Sequence, residues 1–309
     1  EYITVVGGVN MDIGGTPFET LVARDSNPGT VNMTPGGVGR NIAHDLALLG
    51  KSVKFISALG DDPYAKQIKE NCNENGIDIH DSLFKNTNST SVYLYVADET
   101  GDMQLAIADM KIYDDMTPEF METRMGIINH SEAVIVDANI PQETIEYIVK
   151  NAKVKVFAET VSTTKAMKFQ DCLKGIYCIT PNIIEAEALS GVSVNPNSER
   201  SLARASNILM KKGAKKVIIT LSKDGAYYAD RNGKGLIPAL ENNPINTTGA
   251  GDALIAGVAT AITAGYNLRD SVVFGMACSS ETIESEKTNN PDLTFEVARK
   301  RAGLKRLKD

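Results

Sequence analysis

The chain has 309 residues, 42% hydrophobic and 23% charged, with a formal net charge of −7, as in a soluble globular protein of one large α/β domain or two modest ones. The acidic balance argues against a nucleic-acid-binding surface, and no apolar run approaches the roughly 20 residues that span a bilayer. Cys72, Cys172, Cys178 and Cys278 show no Cys-x-x-Cys pair and no metal-ligand spacing, so a reducing, cytoplasmic setting is expected and thiol redox chemistry is not.

The chain opens on Glu-Tyr-Ile-Thr-Val-Val-Gly-Gly, directly into a strand over Ile3–Gly7, with no basic segment followed by an apolar stretch. The first residue is not Met, so a trimmed start, with a domain upstream, stays open. Residues 12–35 are rich in Gly, Pro, Thr and Asn and lack a helical period. A glycine cluster then leads into a helix over Gly39–Leu49, followed by a strand over Val53–Leu59 and a helix over Pro63–Asn75. Residues 91–109 read as a hairpin: both arms alternate, and the turn Asp98–Asp102 is polar with a glycine. This hairpin is expected to stand off the main sheet as a lid or dimer surface; an antiparallel edge of the main sheet is the alternative. Further strands are expected at Ala133–Asp137, Val154–Ala158, Ile176–Thr180 and Val217–Leu221, and further helices at Gln142–Asn151, Ile183–Ser190 and Ser198–Lys212. Such alternation indicates a mostly parallel sheet covered on both faces. The whole span 1–309 is expected to be one unit, with the lid from about 12–35 and 91–109. His44, His80 and His130 are scattered, and metal ligation by them is not expected. The basic segment from Arg299 to Lys308 reads as a solvated helix face.

The most informative stretch is Asn-Thr-Thr-Gly-Ala-Gly-Asp-Ala-Leu-Ile-Ala-Gly at 246–257. Gly249, Ala250 and Gly251 stand before an apolar helix that runs to about Ala264. Unshielded N–H groups at a helix start stabilise an anion, above all a phosphate. Asp252 opposes an anion that is merely bound, so it reads as a base beside a phosphate being transferred. The remote cluster Gly36-Gly37-Val38-Gly39-Arg40-Asn41-Ile42-Ala43 lacks dinucleotide-binding spacing, and Pro35 stands where a strand should end. A tight loop without a ligand explains it equally well. Asn10 and Asp12 alternate with apolar residues where α/β folds bind ligands, although Asp12 also suits a turn. Asn182 and Glu185 can organise the water shell of Mg²⁺ or simply cap a helix. Thr220-Leu221-Ser222-Lys223-Asp224-Gly225 follows a strand and can be a plain turn.

Together these motifs resemble the PfkB (ribokinase-like) carbohydrate and nucleoside kinases. The first signature is carried by Gly36, Gly37, Gly39, Asn41, Ala43, Gly50 and Gly60. The second runs from Asn246 to Asp252 and continues to Ala256 and Gly257. The resemblance implies a three-layer α/β/α fold with a mostly parallel central sheet and a small β-sheet lid. It implies ATP and Mg²⁺, with Asn182 and Glu185 holding Mg²⁺ through water, and Thr220, Ser222, Gly225, Gly249 and Gly251 at the nucleotide. It implies Asp252 as base, with Gly249, Ala250 and Gly251 at the transferred phosphoryl group. Asn10, Asp12, Gly36, Gly37, Arg40 and Asn41 would bind the acceptor. Asn246 stands where Asp is usual, near the place of a monovalent cation such as K⁺. Asn10–Ile13, Asn27–Gly29 and Arg40 resemble the branch whose acceptor is the 5′-hydroxyl of pseudouridine. Ribose, adenosine or another nucleoside as acceptor, or a silent sugar or nucleoside sensor, are the alternatives. No nucleic acid or membrane partner is expected, and a homodimer through the lid is.

Overall fold

The computed structural model describes residues 1–306. β1 (Ile3–Val6) leads into a hairpin of β2 (Asn10–Pro17) and β3 (Gly29–Gly36), then α1 (Val38–Leu48) and β4 (Val53–Ile56). The short β5 (Ala58–Leu59), α2 (Pro63–Glu74), β6 (Ile77–Asp78) and β7 (Leu83–Phe84) precede a second hairpin, β8 (Val92–Ala97) and β9 (Met103–Asp109). Strands and helices then alternate: α3 (Pro118–Glu122), α4 (Met125–Asn129), β10 (Ala133–Asp137), α5 (Gln142–Asn151), β11 (Lys155–Glu159), α6 (Thr163–Ala166), β12 (Cys178–Ile179), α7 (Ile183–Ser190), α8 (Glu199–Lys211) and β13 (Lys216–Thr220). The chain closes with β14 (Ala226–Asp230), β15 (Gly233–Ile237), α9 (Ala250–Thr263), α10 (Leu268–Ile283) and α11 (Phe295–Arg301).

Nine strands form the main sheet in the order β15-β14-β13-β12-β11-β10-β1-β4-β6. Pairing is parallel except at β13–β14 and β14–β15. Both faces are covered, as β10 shows: Ala133 and Ile135 enter one apolar cluster with α1, α9 and α10, while Val134 and Val136 enter another with α5, α7 and α8. That two-sided burial produces the continuous apolar runs of a parallel strand. No helix among the described residues is long and apolar enough to cross a membrane.

The lid is a separate four-stranded sheet, β3-β2-β8-β9, so the hairpin at 91–109 is not an edge of the main sheet. Register sorts its two faces. Asp12 lies beside Thr34 and Tyr93, and Ile13 beside Met33 and Leu94. One face therefore carries Asn10, Asp12, Thr34 and Tyr93. The other carries Ile13, Val31, Met33, Leu94, Leu105 and Ile107, of which Val31 is 70% and Ile107 62% exposed. Pro35 corrects the sequence reading: a strand does end at the glycine cluster, and Pro35 belongs to it. β3 is an edge strand, where a missing N–H is tolerated.

α9 is buried continuously from Asp252 to Ile262, as an all-apolar helix must be. It packs on α10 through glycines: a Cβ on Gly257 would lie 2.8 Å from the Gly275 Cα, and one on Gly275 would lie 2.7 Å from the Leu254 carbonyl oxygen. The basic C-terminal segment is not a simple solvated face. Arg301 pairs with Glu281 at 2.9 Å and Glu284 at 2.8 Å, and Arg299 with Glu296. Leu307 and Lys308 lie outside the described residues.

Candidate active site

The start of α9 is built by its sequence. Gly249 is the N-cap, with φ +83°, and no side chain caps the helix. A Cβ there would lie 2.6 Å from the Thr288 carbonyl oxygen, so glycine is required twice over, for conformation and for space. At Gly251 nothing stands within 4 Å of a would-be Cβ. The first N–H groups of a helix have no partner within it; Ala250 N makes only a long bond, 3.4 Å to the Thr247 carbonyl, and a phosphate can approach the turn here.

Asp252, in the first turn, is only 8% exposed. Burial pushes its carboxyl up to about 7; Asp137 adds to the rise, while the Asn41 hydrogen bond and Arg40 oppose it. Asn41 Nδ2 donates to Asp252 Oδ2 at 2.9 Å, joining the two glycine-rich motifs across the fold. A carboxyl raised in this way can hold and release a proton near neutrality, as general-base chemistry requires.

β2 carries the acceptor-side candidates. Asn10 Nδ2 donates to Asp12 Oδ1. Burial raises the Asp12 carboxyl, against the lowering effects of Asn10 and Arg40. Gly36 makes room for it, because a Cβ would lie 2.1 Å from Asp12 Oδ2. Gly37 adopts φ +98°, and a Cβ there would lie 2.7 Å from both the Gly8 carbonyl oxygen and the Val9 Cα. Both glycines thus serve close approach within the protein itself. Arg40 is 6% exposed, and its guanidinium is held by Asn41, Asn289, His44 and Asn71. Thr90 and Ser91 at the start of the second hairpin bond to Gly60 and Asp109.

On the other side of α9 lies a cleft of about 530 Å³. Asn182, Thr220, Ser222, Gly225, Ala250 and Gly251 line it beside an apolar wall of Leu240, Leu254, Met276 and Ile283. An apolar pocket ending at a helix N-terminus suits a purine ring and its phosphates. Ser222 adopts φ +54°, the conformation that makes glycine easier at this place in the turn. Asn182 and Glu185 form a reciprocal capping box on α7, and Thr160 Oγ1 also donates to Glu185 at 2.6 Å. Glu185 is therefore committed to the helix start, while Asn182 borders the cleft. Gly249 and Glu185 are not among the cleft's lining residues. The Asn246 side chain joins its own loop to the 286–289 segment, donating to the Glu286 carbonyl at 3.1 Å and accepting from Thr248 N.

Glu159 was not visible as a site residue from sequence. It ends β11, where parallel strands present ligand groups, and it accepts from Val161 N and Thr180 Oγ1. Burial pushes it up to about 8, with Asp252 and Glu185 adding. Such a group of carboxylates gains from a cation arriving with phosphates. Among the described residues no set of three acidic, His or Cys side chains forms a metal cage.

Comparison with known proteins follows the same lines. The family described as pfkB family carbohydrate kinase matches residues 1–294. A pseudouridine kinase of Escherichia coli is 38% identical over 297 residues, 96% of this chain and 94% of that protein. An uncharacterized sugar kinase of the same organism is 33% identical, over 96% of this chain and 82% of that protein. A guanosine-inosine kinase and ribokinases align at lower identity. Among solved structures, a carbohydrate kinase from Agrobacterium tumefaciens superposes with a TM-score of 0.87 at 27% identity, covering 98% of this chain and 97% of that one.

Proposed function

We propose a specific acceptor for a chain that belongs to the pfkB family of carbohydrate kinases: pseudouridine, phosphorylated by ATP on its 5′-hydroxyl. The observation that carries the chemistry is Asn41 Nδ2 on the Asp252 carboxylate at 2.9 Å, beside an open helix N-terminus. The acceptor rests on the 38% identity to a pseudouridine kinase and on the Asn10–Ile13 and Arg40 positions.

In this reading Asp252 takes the proton of the 5′-hydroxyl as its oxygen attacks the γ-phosphorus. The bond to the β–γ bridging oxygen breaks, and ADP leaves with those electrons. Backbone N–H groups of Ala250, Gly251 and Asp252 face the charge that builds on the transferred group, the larger expected effect in such transfers. Asn10, Asp12 and Asn41 hold the ribose, with the polar face of the lid above it. Closure of that lid excludes water and limits ATP hydrolysis. Mg²⁺ would neutralise the ATP phosphates when bound, and Asn182, Glu185 and Glu159 are the groups that would hold it through water. A monovalent cation belongs beside the Asn246 loop on this reading. Free thiols at all four cysteines fit a cytoplasmic location. The exposed apolar face of Val31, Met33, Leu105 and Ile107 supports a homodimer formed lid to lid.

Coupled ADP release with pseudouridine, uridine, ribose and adenosine tests the acceptor. The expected result is the highest kcat/KM with pseudouridine. A strong signal with ribose and none with pseudouridine sinks the acceptor, and no ADP with any of the four favours a sensor.

A further inference from the structure

Arg40 sits one residue before Asn41 on α1, and its side chain turns away from solvent. Its Nη1 donates to Asn41 Oδ1 at 3.1 Å and to Asn289 Oδ1 at 2.8 Å. Its Nη2 donates to Asn71 Oδ1 at 2.8 Å and lies 3.2 Å from His44 Nδ1. Asn289 in turn donates to the Asn41 carbonyl at 3.0 Å and to Asp45 Oδ1 at 2.8 Å. The links close a ring, Arg40–Asn41–Asn289, that holds Asn41 by both its side chain and its backbone. A side-chain amide has one accepting and one donating end. With Oδ1 fixed on the guanidinium, only Nδ2 can face Asp252, and it does so at 2.9 Å.

We infer that Arg40 is a positioning residue for the base: it sets the orientation of the Asn41 amide and so the hydrogen bond that Asp252 receives. The inference rests on the reading of Asp252 as base. A flipped Asn41 would present its oxygen to the carboxylate and disfavour the ionised form. The same ring reaches the phosphate side. Residues 286–289 carry Asn289 at one end, while the Glu286 and Thr288 carbonyls meet Asn246 and Gly249. One guanidinium therefore braces both the acceptor side and the glycine turn. The charged groups around Asp252 are Arg40 from α1, Asp45 from α1, Asp137 from β10 and Glu159 from β11. The lone cation among them is Arg40, so its removal acts in the same direction as the flip. His44, packed on Arg40, is held down at about 4 by burial and that same charge, so it adds no positive charge near neutrality.

The test is the pH profile of kcat/KM for Arg40→Met beside wild type and Asp252→Asn, with melting temperatures for each. Arg40→Met is expected to move the acid limb about one pH unit alkaline and so lower kcat/KM at pH 7 about fivefold, with KM for ATP little changed. An acid limb coincident with that of wild type overturns the inference. If Arg40→Met does not fold, Asn289→Ala removes the guanidinium's second anchor and keeps the arginine. An alkaline displacement there supports the inference, and a wild-type profile overturns it. Near-normal turnover in Asp252→Asn removes the base reading itself, whereas a slow Asp252→Asn beside an unshifted Arg40→Met removes only the role of Arg40.

Discussion

Replacing Asp252 by Asn should make the free protein more stable above neutral pH while nearly abolishing turnover. The carboxyl stands at about 7 against an ordinary 3.8, chiefly through burial. The difference corresponds to about 4 kcal/mol between protonation states. A raised carboxyl favours folding while it is protonated. That contribution is complete below pH 3.8, declines as pH rises, and is lost above about 7. Wild type therefore carries a buried charge at pH 8 that the Asn variant lacks. The Asn amide can still offer its oxygen to Asn41 Nδ2, so the hydrogen bond survives. Urea unfolding at pH 8 should show the variant more stable by about 2–4 kcal/mol, and at pH 4 by less than about 1 kcal/mol. Turnover should fall at least ~100-fold. An Asn variant that unfolds no later than wild type at pH 8 would refute the burial argument. One that turns over near-normally would refute the assignment of the base.

Three further outcomes follow from the same geometry. The kcat/KM of wild type should rise with pH through a midpoint near 7 as Asp252 ionises, about tenfold per unit below it; a flat profile from pH 5 to 8 contradicts this. Gly249→Ala places a Cβ 2.6 Å from the Thr288 carbonyl at φ +83°, and should cost about 1–3 kcal/mol of stability and raise KM for ATP; an unchanged KM would show that the turn can move freely. Ile107→Lys puts a charge on the exposed apolar face of the lid, and sedimentation should report a monomer where wild type is a dimer; a wild-type monomer ends the lid-to-lid proposal.

What could be seen in the sequence was whatever lies close together along the chain. Gly249 to Asp252 are consecutive, and a helix N-terminus is a local structure, so the glycine-led helix start and its first-turn carboxylate were legible. β10, α5 and α7 were legible to the residue because their apolar patterns are unbroken. The contact between Asn41 and Asp252 spans 211 positions, and no local pattern in the sequence shows it. Glu159 resembles any polar strand end until the fold sets it beside Asp252 and Glu185. α10 was missed because Ser271, Ser280 and Thr282 are buried on it, which erases the polar face that marks a surface helix. β14 and β15 were missed because Gly233 and Gly235 weaken the alternation of the second arm. Asn71 and Asn289, the partners of Arg40, are scattered polar residues, with nothing in sequence to show that they converge on it.

The glycine contact between α9 and α10 has a mechanical consequence. Two helices that meet at Gly257 and Gly275 pack backbone close to backbone, with Cys278 and Val258 closing the remaining space, so little room is left to absorb a shift. The far half of α10 supplies Met276, Ser279, Ser280 and Ile283 to the wall of the cleft, and the near end of α9 carries Asp252. A shift of the cleft wall on α10 would therefore carry α9 with it, and so move Asp252.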